Sequence, residues 1–352
     1  MRTDQPLRAI LWPAFENRTG NPYNRLLATG LQDTGVRITE FTPVRLLTGR
    51  FDVWHMHWPE GILGKRAGLR SVPGRITLNT LLKYARITGT RTIWTVHNLE
   101  AHHRNHVADD DFWMAFTDKI DASIHLSKSG RSMAMSRFSA LRGKPSFVIP
   151  HGHYRGIYPN TIGKAEARDR LGISNEGRVI THVGYGRPYK NIPHLIRSFL
   201  GLSSSTDRLV IAGRPSSKDI HDAILAASAS DSRISLKLDF IPEEEMQVYL
   251  NAADLVVLPY TNILNSGSVL LALSFDRPVL VPNLGAMGEL QAAIGANWVY
   301  TYDDNLTTHD LAGTLASISR SSPLGTAPLE HLDWNRLAAQ THEAYRSVCG
   351  ID

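Results

Sequence analysis

Short, apolar, β-rich runs alternate with helical stretches along this chain, and that alternation restricts its fold more than any other feature. In the first half the runs are RAILWPAF, DVWHMHW, TIWTVHN, SIHLS and SFVIPHG; in the second they are VITHVG, RLVIAG, LVVLPY and PVLVP. Several are apolar almost without interruption, as strands covered on both faces must be. Segments with helical spacing separate most of them, among them NRLLATGLQ, NIPHLIRSFL and EEEMQVYLNAA. Strand, helix and strand in succession make a βαβ unit with parallel strands. The predicted class is α/β, with parallel, doubly wound sheets.

At 352 residues the chain has room for two domains of ordinary size. The stretch PHGHYRGIYPNTIGKAEARDRLGIS breaks the alternation with Gly and Pro and then starts a new helix, which puts the boundary near Tyr158 to Lys164. The expected parts are an N-terminal domain over 1–160, a second domain over 161–330 and a packing helix in 331–352. In that last segment Trp334, Leu337, Ala338, Thr341 and Tyr345 recur at helical spacing. Two doubly wound, Rossmann-like domains facing each other across a cleft would bind ligands at the carboxyl ends of their strands.

Composition narrows the class. The single cysteine, Cys349, cannot form an internal disulfide, which fits a reducing compartment. The opening residues, MRTDQPLRAILWPAF, carry Asp4 and a Pro before a short apolar run and are not expected to act as a signal peptide. The longest charge-free run, Leu255 to Phe275, is interrupted by Pro259, Asn262, Asn265, Ser266 and Gly267, so no transmembrane helix is predicted. Residues 1–165 hold 23 Lys and Arg against 12 Asp and Glu, a charge of +11, while the remainder carries −6. Such asymmetry predicts different partners for the two halves. Between Glu60 and Glu100 stand Lys65, Arg66, Arg70, Arg75, Lys83, Arg86 and Arg91 with no acid among them. Interleaved apolar residues make this either a solvated helix face or a helix lying on an anionic membrane. No nucleic-acid recognition motif accompanies the charge, and nucleic acid is not expected as a partner.

Three segments could carry chemistry. In HVGYGRPYKNIPHLIRSF a strand runs into a turn with Gly184 and Gly186, then Arg187 and Lys190, then a helix. Backbone N–H groups, a positive helix end and two cations suit a phosphate, and would stabilise the charge of a departing diphosphate. In the second, Ser266, Gly267 and Ser268 precede the helix VLLALSF; Ser266 or Ser268 suits an N-cap, and the same amides and hydroxyls could hold an anion. The third is a histidine group: His55 and His57 share one strand face, and His97, His102, His103 and His106 follow in TVHNLEAHHRNH. Their spacing matches no standard zinc site, and no metal is expected. His97 and Asn98, at a strand's carboxyl end, are placed to hydrogen-bond a polyhydroxylated substrate, and His102 to do the same; at least one of His55 and His57 is expected to be purely structural. Glu60 and Glu100 directly follow strand ends and are the candidates for a general base.

These residues resemble the GT-B glycosyltransferases related to family 4. VGYGRPYKNIPHLIRSF resembles that family's phosphate-binding turn, with Arg187 and Lys190 in donor-binding positions; KLDFIPEEEMQVYLNAADLVVLPY resembles the segment leading to the donor site, where backbone near Phe240 and Ile241 would meet the nucleotide base; WTVHNL resembles the acceptor-side loop with a sugar-contacting histidine, here His97. NPYNRLL, HMHWPE and IPHGHY look like the bacterial β-mannosyltransferases of family 94, which act on lipid-linked exopolysaccharide intermediates. Retaining members of family 4 carry two glutamates with seven residues between them around this helix, and the resemblance puts Ile263 and Leu271 in those positions here.

The resemblance implies an inverting enzyme that moves mannose from GDP-mannose to a lipid-linked oligosaccharide. The donor would be held by Gly184, Gly186, Arg187, Lys190, Phe240, Ile241, Ser266, Gly267 and Ser268, and the acceptor by Asn98 and His102. Glu60, Glu100 and His97 would be the catalytic groups, with no metal cofactor. It further implies a cytoplasmic protein, peripheral on the inner face of the plasma membrane. The rival readings are a retaining transferase using UDP-glucose or another donor, and a non-catalytic sugar-nucleotide or polysaccharide binding protein.

Overall fold

The computed structural model describes residues 5–16, 21–63, 72–99, 109–228, 231–320 and 325–351. The chain forms two compact units, Met1–Gly152 with His331–Asp352, and His153–Glu330. Each is built on a six-stranded sheet.

In unit 1 the strands are β1 (Arg8–Trp12), β2 (Arg37–Glu40), β3 (Val53–Met56), β4 (Arg91–Val96), β5 (Ala122–His125) and β6 (Ser146–Val148), in the order β2-β1-β3-β4-β5-β6. Every pairing is parallel. The near-continuous apolar runs arise because both faces are covered. Ala9, Leu11, Val53 and Ile93 join one core with the helix Tyr23–Asp33, while Ile10, Trp54, Met56 and Trp94 join another on the opposite face. Successive strand residues point to opposite faces, so each face takes every second residue.

Unit 2 holds β7 (Val179–Val183), β8 (Arg208–Ala212), β9 (Ile234–Lys237), β10 (Leu255–Val257), β11 (Val279–Pro282) and β12 (Val299–Tyr302), ordered β12-β11-β10-β7-β8-β9 and again wholly parallel. The strand order reverses between β1 and β3 in unit 1 and between β7 and β10 in unit 2. Those are the topological switch points where open α/β sheets bind ligands.

Three strands, β2, β9 and β12, are absent from the apolar runs picked out in the sequence. All three are sheet edges, only partly buried, and RITE, ISLK and VYTY mix polar with apolar residues accordingly. The units part at Gly152, ahead of the expected 158–164, because the residues that follow are already tied to unit 2: Arg155 pairs with Asp276 at 2.7 Å, and Thr161 N–H donates to Gln247 Oε1 at 2.8 Å. The final helix, Trp334–Cys349, belongs to unit 1 and buries Leu337, Ala338, Thr341 and Tyr345. It lies so close to the helix Tyr23–Asp33 that a Cβ on Gly30 would stand 2.8 Å from that of Ala338.

Candidate functional site

The switch point of unit 2 gathers one group of residues. β7 ends at Val183, and the turn that follows needs glycine at 184, where φ is +120°. A Cβ there would stand 2.9 Å from Lys190 Nζ and 3.8 Å from Ser268 Oγ, so the ammonium and the hydroxyl converge on this bare stretch of backbone. The glycine amides themselves are taken. Gly184 N–H donates to Ala212 O and Gly186 N–H to Arg214 O, both at 2.9 Å. The expectation that the two glycines offer their own N–H groups to a phosphate is therefore not met, because those groups pair with the last residue of β8 and with the loop that follows it. The open amides lie across the turn. Ser266 is the N-cap of the helix Gly267–Ser274, its Oγ accepting from Val269 N–H. Among the described residues the N–H groups of Gly267 and Ser268 donate to nothing, as first-turn amides do unless a ligand takes them.

Lys190 is buried at 6% exposure, and among the described residues its ammonium makes no hydrogen bond or ion pair. Burial, with Arg187 nearby, brings its pKa down to about 8. Arg187 is half-buried with its guanidinium 5.5 Å from the Tyr185 ring. Tyr260 stands behind Ser266, its buried hydroxyl 2.7 Å from Ser266 Oγ, and burial pushes its pKa up, so it stays a neutral phenol. Tyr260 was not among the residues singled out in the sequence; an aromatic at a strand end reads as core. Phe240 and Ile241 follow the carboxyl end of β9: Phe240 is exposed, its N–H held by Asp239 at 2.7 Å, and Ile241 is buried. Ile263 and Leu271, which the resemblance sets at the positions of the two glutamates, are both half-buried.

The switch point of unit 1 gathers the second group. His55 is anchored by Tyr345 OH at 2.7 Å and Thr95 Oγ1 at 2.6 Å, and burial brings its pKa down to about 3. It is the structural member of the pair. Its ring lies 4.4 Å from that of His57, on the shared face the strand period predicts. His57 Nδ1 meets His97 Nε2 at 3.0 Å. His97 also stacks on Trp58 at 4.6 Å, and Tyr23 sets its ring edge-on against His57, His97, His151 and Trp334. Asn98, next after His97, is half-buried. Asn24, on the buried face of the helix Tyr23–Asp33, has both side-chain polar atoms buried and without partners among the described residues. It too escaped the sequence reading, where NPYNRLL served only as part of a family likeness.

Glu60 sits in the short 3-10 turn Pro59–Leu63 just after β3. Desolvation raises its pKa to about 7, partly offset by a backbone hydrogen bond. A carboxyl with that pKa can accept a proton near neutral pH. The other base candidate, Glu100, and the acceptor candidate His102 lie outside the described residues. Among those described, no group of three His, Cys, Asp or Glu side chains is arranged to hold a metal ion.

The chain is 31% identical, over 96% of its length and 91% of the relative's, to a GDP-mannose:glycolipid 4-beta-D-mannosyltransferase of Xanthomonas campestris pv. campestris. It belongs to this glycosyltransferase family. A second sequence of the same name and species is 30% identical over the same span. No family model matches. Among solved structures, a sucrose-phosphate synthase from Thermosynechococcus elongatus superposes with a TM-score of 0.71 at 14% identity, covering 98% of this chain and 99% of that one. Anabaena HepE in complex with UDP and glucose gives 0.65 at 14% identity over 96% and 99%. These likenesses establish the GT-B fold, and the family membership makes the protein a glycosyltransferase.

Proposed function

We propose that this enzyme transfers mannose from GDP-mannose to a lipid-linked oligosaccharide with inversion at the anomeric carbon, without a metal ion. The observation that carries the reading is the convergence on Gly184 of the buried Lys190 ammonium, unpaired among the described residues, and the Ser268 hydroxyl, beside two helix-terminal amides likewise without a partner among those residues, in a chain whose curated relatives bear that donor in their names. Unit 2 holds the donor. Lys190, Arg187 and the amides of Gly267 and Ser268 take the diphosphate, and their charge stabilises the leaving group as the glycosidic bond breaks. Gly184 and Gly186 contribute by leaving room rather than by donating, and the backbone at Phe240 and Ile241 meets the base. Unit 1 holds the acceptor through His97 and Asn98, with His102, and Glu60 removes the proton from the attacking hydroxyl. Hydrophobic Ile263 and Leu271 where retaining enzymes carry glutamates favour direct displacement. The product's anomeric configuration, read by NMR, tests this: a β-mannoside is expected, and an α-mannoside refutes inversion. Full activity in EDTA is expected, and its loss, restored by a divalent cation, refutes metal independence.

We further propose peripheral attachment to the cytoplasmic leaflet through unit 1, in the exopolysaccharide pathway that the family likeness implies. No helix among the described residues is long and apolar enough to cross a membrane. The helices Pro43–Thr48 and Val72–Thr88 touch, Tyr84 OH donating to Leu47 O at 2.7 Å, and together leave Val44, Leu47, Ile76 and Ile87 exposed beside Lys83 and Arg86. Apolar side chains rimmed by cations suit an anionic lipid surface. Lys65, Arg66 and Arg70 lie outside the described residues. Flotation with vesicles containing phosphatidylglycerol, lost in Ile76→Asp/Ile87→Asp, is the expected result; flotation independent of anionic lipid refutes it.

A further inference from the structure

The proposed function assigns His97 to the sugars, but it leaves open what that ring can offer them, because an imidazole nitrogen donates or accepts according to its tautomer. The structure constrains the tautomer through a residue that touches no substrate in the proposed function. His57 Nδ1 and His97 Nε2 stand 3.0 Å apart, and one hydrogen lies between them. His57 is 1% exposed, and its second nitrogen, Nε2, is buried with no partner among the described residues. If His97 donated, His57 Nε2 would carry an N–H with nowhere to go. If His57 donates, Nε2 is left as a bare lone pair. A buried orphan donor is the rarer and costlier of the two in folded proteins. The favoured arrangement is His57 Nδ1–H donating to His97 Nε2, which puts the hydrogen of His97 on Nδ1.

His57 has little freedom to do otherwise. Its backbone N–H is held by Trp12 O at 3.0 Å, its ring is packed against His55 at 4.4 Å, and the edge of Tyr23 closes another side. His55 is itself fixed at both nitrogens by Tyr345 and Thr95, the first of these from the last helix of the chain. Burial together with the two neighbouring imidazoles holds the His57 pKa well below the usual histidine value, so the ring stays neutral and the single shared hydrogen is kept.

We propose that His57 is a positioning residue that fixes His97 in the Nδ1–H tautomer, making His97 a hydrogen-bond donor to a sugar oxygen and not the base of the reaction. The inference rests on the proposed placement of His97 against the sugars. It leaves proton removal to a carboxylate, consistent with Glu60.

The test compares variants that differ only in where a polar atom is kept. An Asn amide reproduces the position of Nδ1, and a Gln amide that of Nε2. Release of GDP from GDP-mannose in the presence of a glycolipid acceptor is measured for His57→Asn, His57→Gln and His57→Phe, with thermal transitions recorded alongside. Asn is expected to keep kcat within about threefold of wild type, while Gln and Phe lose about tenfold or more, the worth of one hydrogen bond to a reacting partner. Gln matching or exceeding Asn overturns the proposal. His97→Ala separates the two levels of argument. If it leaves kcat unchanged, the placement of His97 fails. If it lowers kcat while His57→Phe in that background costs as much again as in wild type, the placement stands and the coupling fails. A measurement on the unmodified enzyme guards against variants that do not fold. In a histidine-selective 15N spectrum, His97 is expected to show a protonated Nδ1 and a bare Nε2, and the opposite assignment overturns the proposal.

Discussion

Replacing Lys190 by Met should make this protein more stable and nearly inactive. The ammonium is 6% exposed and, among the described residues, has no counter-ion or hydrogen-bond acceptor. Its pKa falls from 10.5 to about 8, chiefly by desolvation. Each pKa unit is about 1.4 kcal/mol, so holding the charge inside the fold costs about 3 kcal/mol at pH 7. The sign follows from proton counts. Between pH 8 and 10.5 the unfolded chain binds more protons at this residue than the native one, so wild-type stability rises with pH across that window. The penalty is fully present below it. Met has similar length and no charge, and removes the penalty. At pH 7 hydrogen exchange of β7 amides, which reports the opening of unit 2 alone, should slow by about two orders of magnitude in the variant. By pH 10 the variant's advantage should shrink to below about 1 kcal/mol. If Lys190 holds the diphosphate as proposed, GDP should raise the melting temperature of wild type by more than that of the variant. A variant less stable than wild type at pH 7, or a stability difference that ignores pH, would refute the argument that this cation is uncompensated.

The pH profile of kcat/KM should be a narrow bell, rising as Glu60 loses its proton near 7 and falling as Lys190 loses its own near 8; a flat profile from pH 6 to 9 would exclude both roles. In kcat the alkaline limb should move higher, because bound diphosphate favours the ammonium. Glu60→Gln should cut turnover by about two to four orders of magnitude. Its stability effect should run the other way. The native carboxyl holds its proton up to about 7 and the unfolded one only to 4.5, so wild-type stability falls between those values and the variant gains about 1–3 kcal/mol at pH 8 and little at pH 4. Denaturation at the two pH values checks it. Arg187→Ala should lower turnover by one to three orders of magnitude, from the loss of roughly 2–4 kcal/mol of charge stabilisation, read by GDP release. Tyr260→Phe, which removes the 2.7 Å bond to Ser266 Oγ, should raise KM for the donor by about fivefold with little change in the thermal transition.

Much of this was legible in the residues. Central strands buried on both faces announce themselves by unbroken apolar runs, and VITHV and VWHM are buried at every position. The edges β2, β9 and β12 were not legible, since a strand paired on one side needs no such run. The turn at Gly184 was legible as a place, but its mechanism was not: which amides a loop consumes depends on β8, far away in sequence, and the glycine N–H groups turned out to be engaged there. The same holds for the histidines. Period two placed His55 and His57 on one face, whereas what distinguishes them is a hydroxyl from Tyr345, 290 residues on. Local pattern fixes which residues share a face; partners from distant strands decide what each can do.

The absence of a carboxylate at 263 and 271, which supports the proposal of inversion, also has a consequence for charge. No carboxylate among the described residues pairs with Lys190, and the Arg187 cation beside it adds to the field. A buried ammonium with a neighbouring glutamate would be neutralised in the resting protein and would have to break that pair before taking a diphosphate. Here the cation has no counter-charge among the described residues, and burial with the neighbouring Arg187 holds its pKa down. In the proposed function the attraction is then reserved for the ligand, and it would grow as the bond to the sugar breaks and negative charge accumulates on the leaving diphosphate. Under the proposed inverting mechanism, introducing Glu at 271 should not by itself give a product of retained configuration. Where the new carboxylate reaches Lys190, it should raise that residue's pKa and weaken GDP binding in calorimetry. Unchanged GDP affinity together with an unchanged alkaline limb would show that the helix Gly267–Ser274 does not share the field of the donor site.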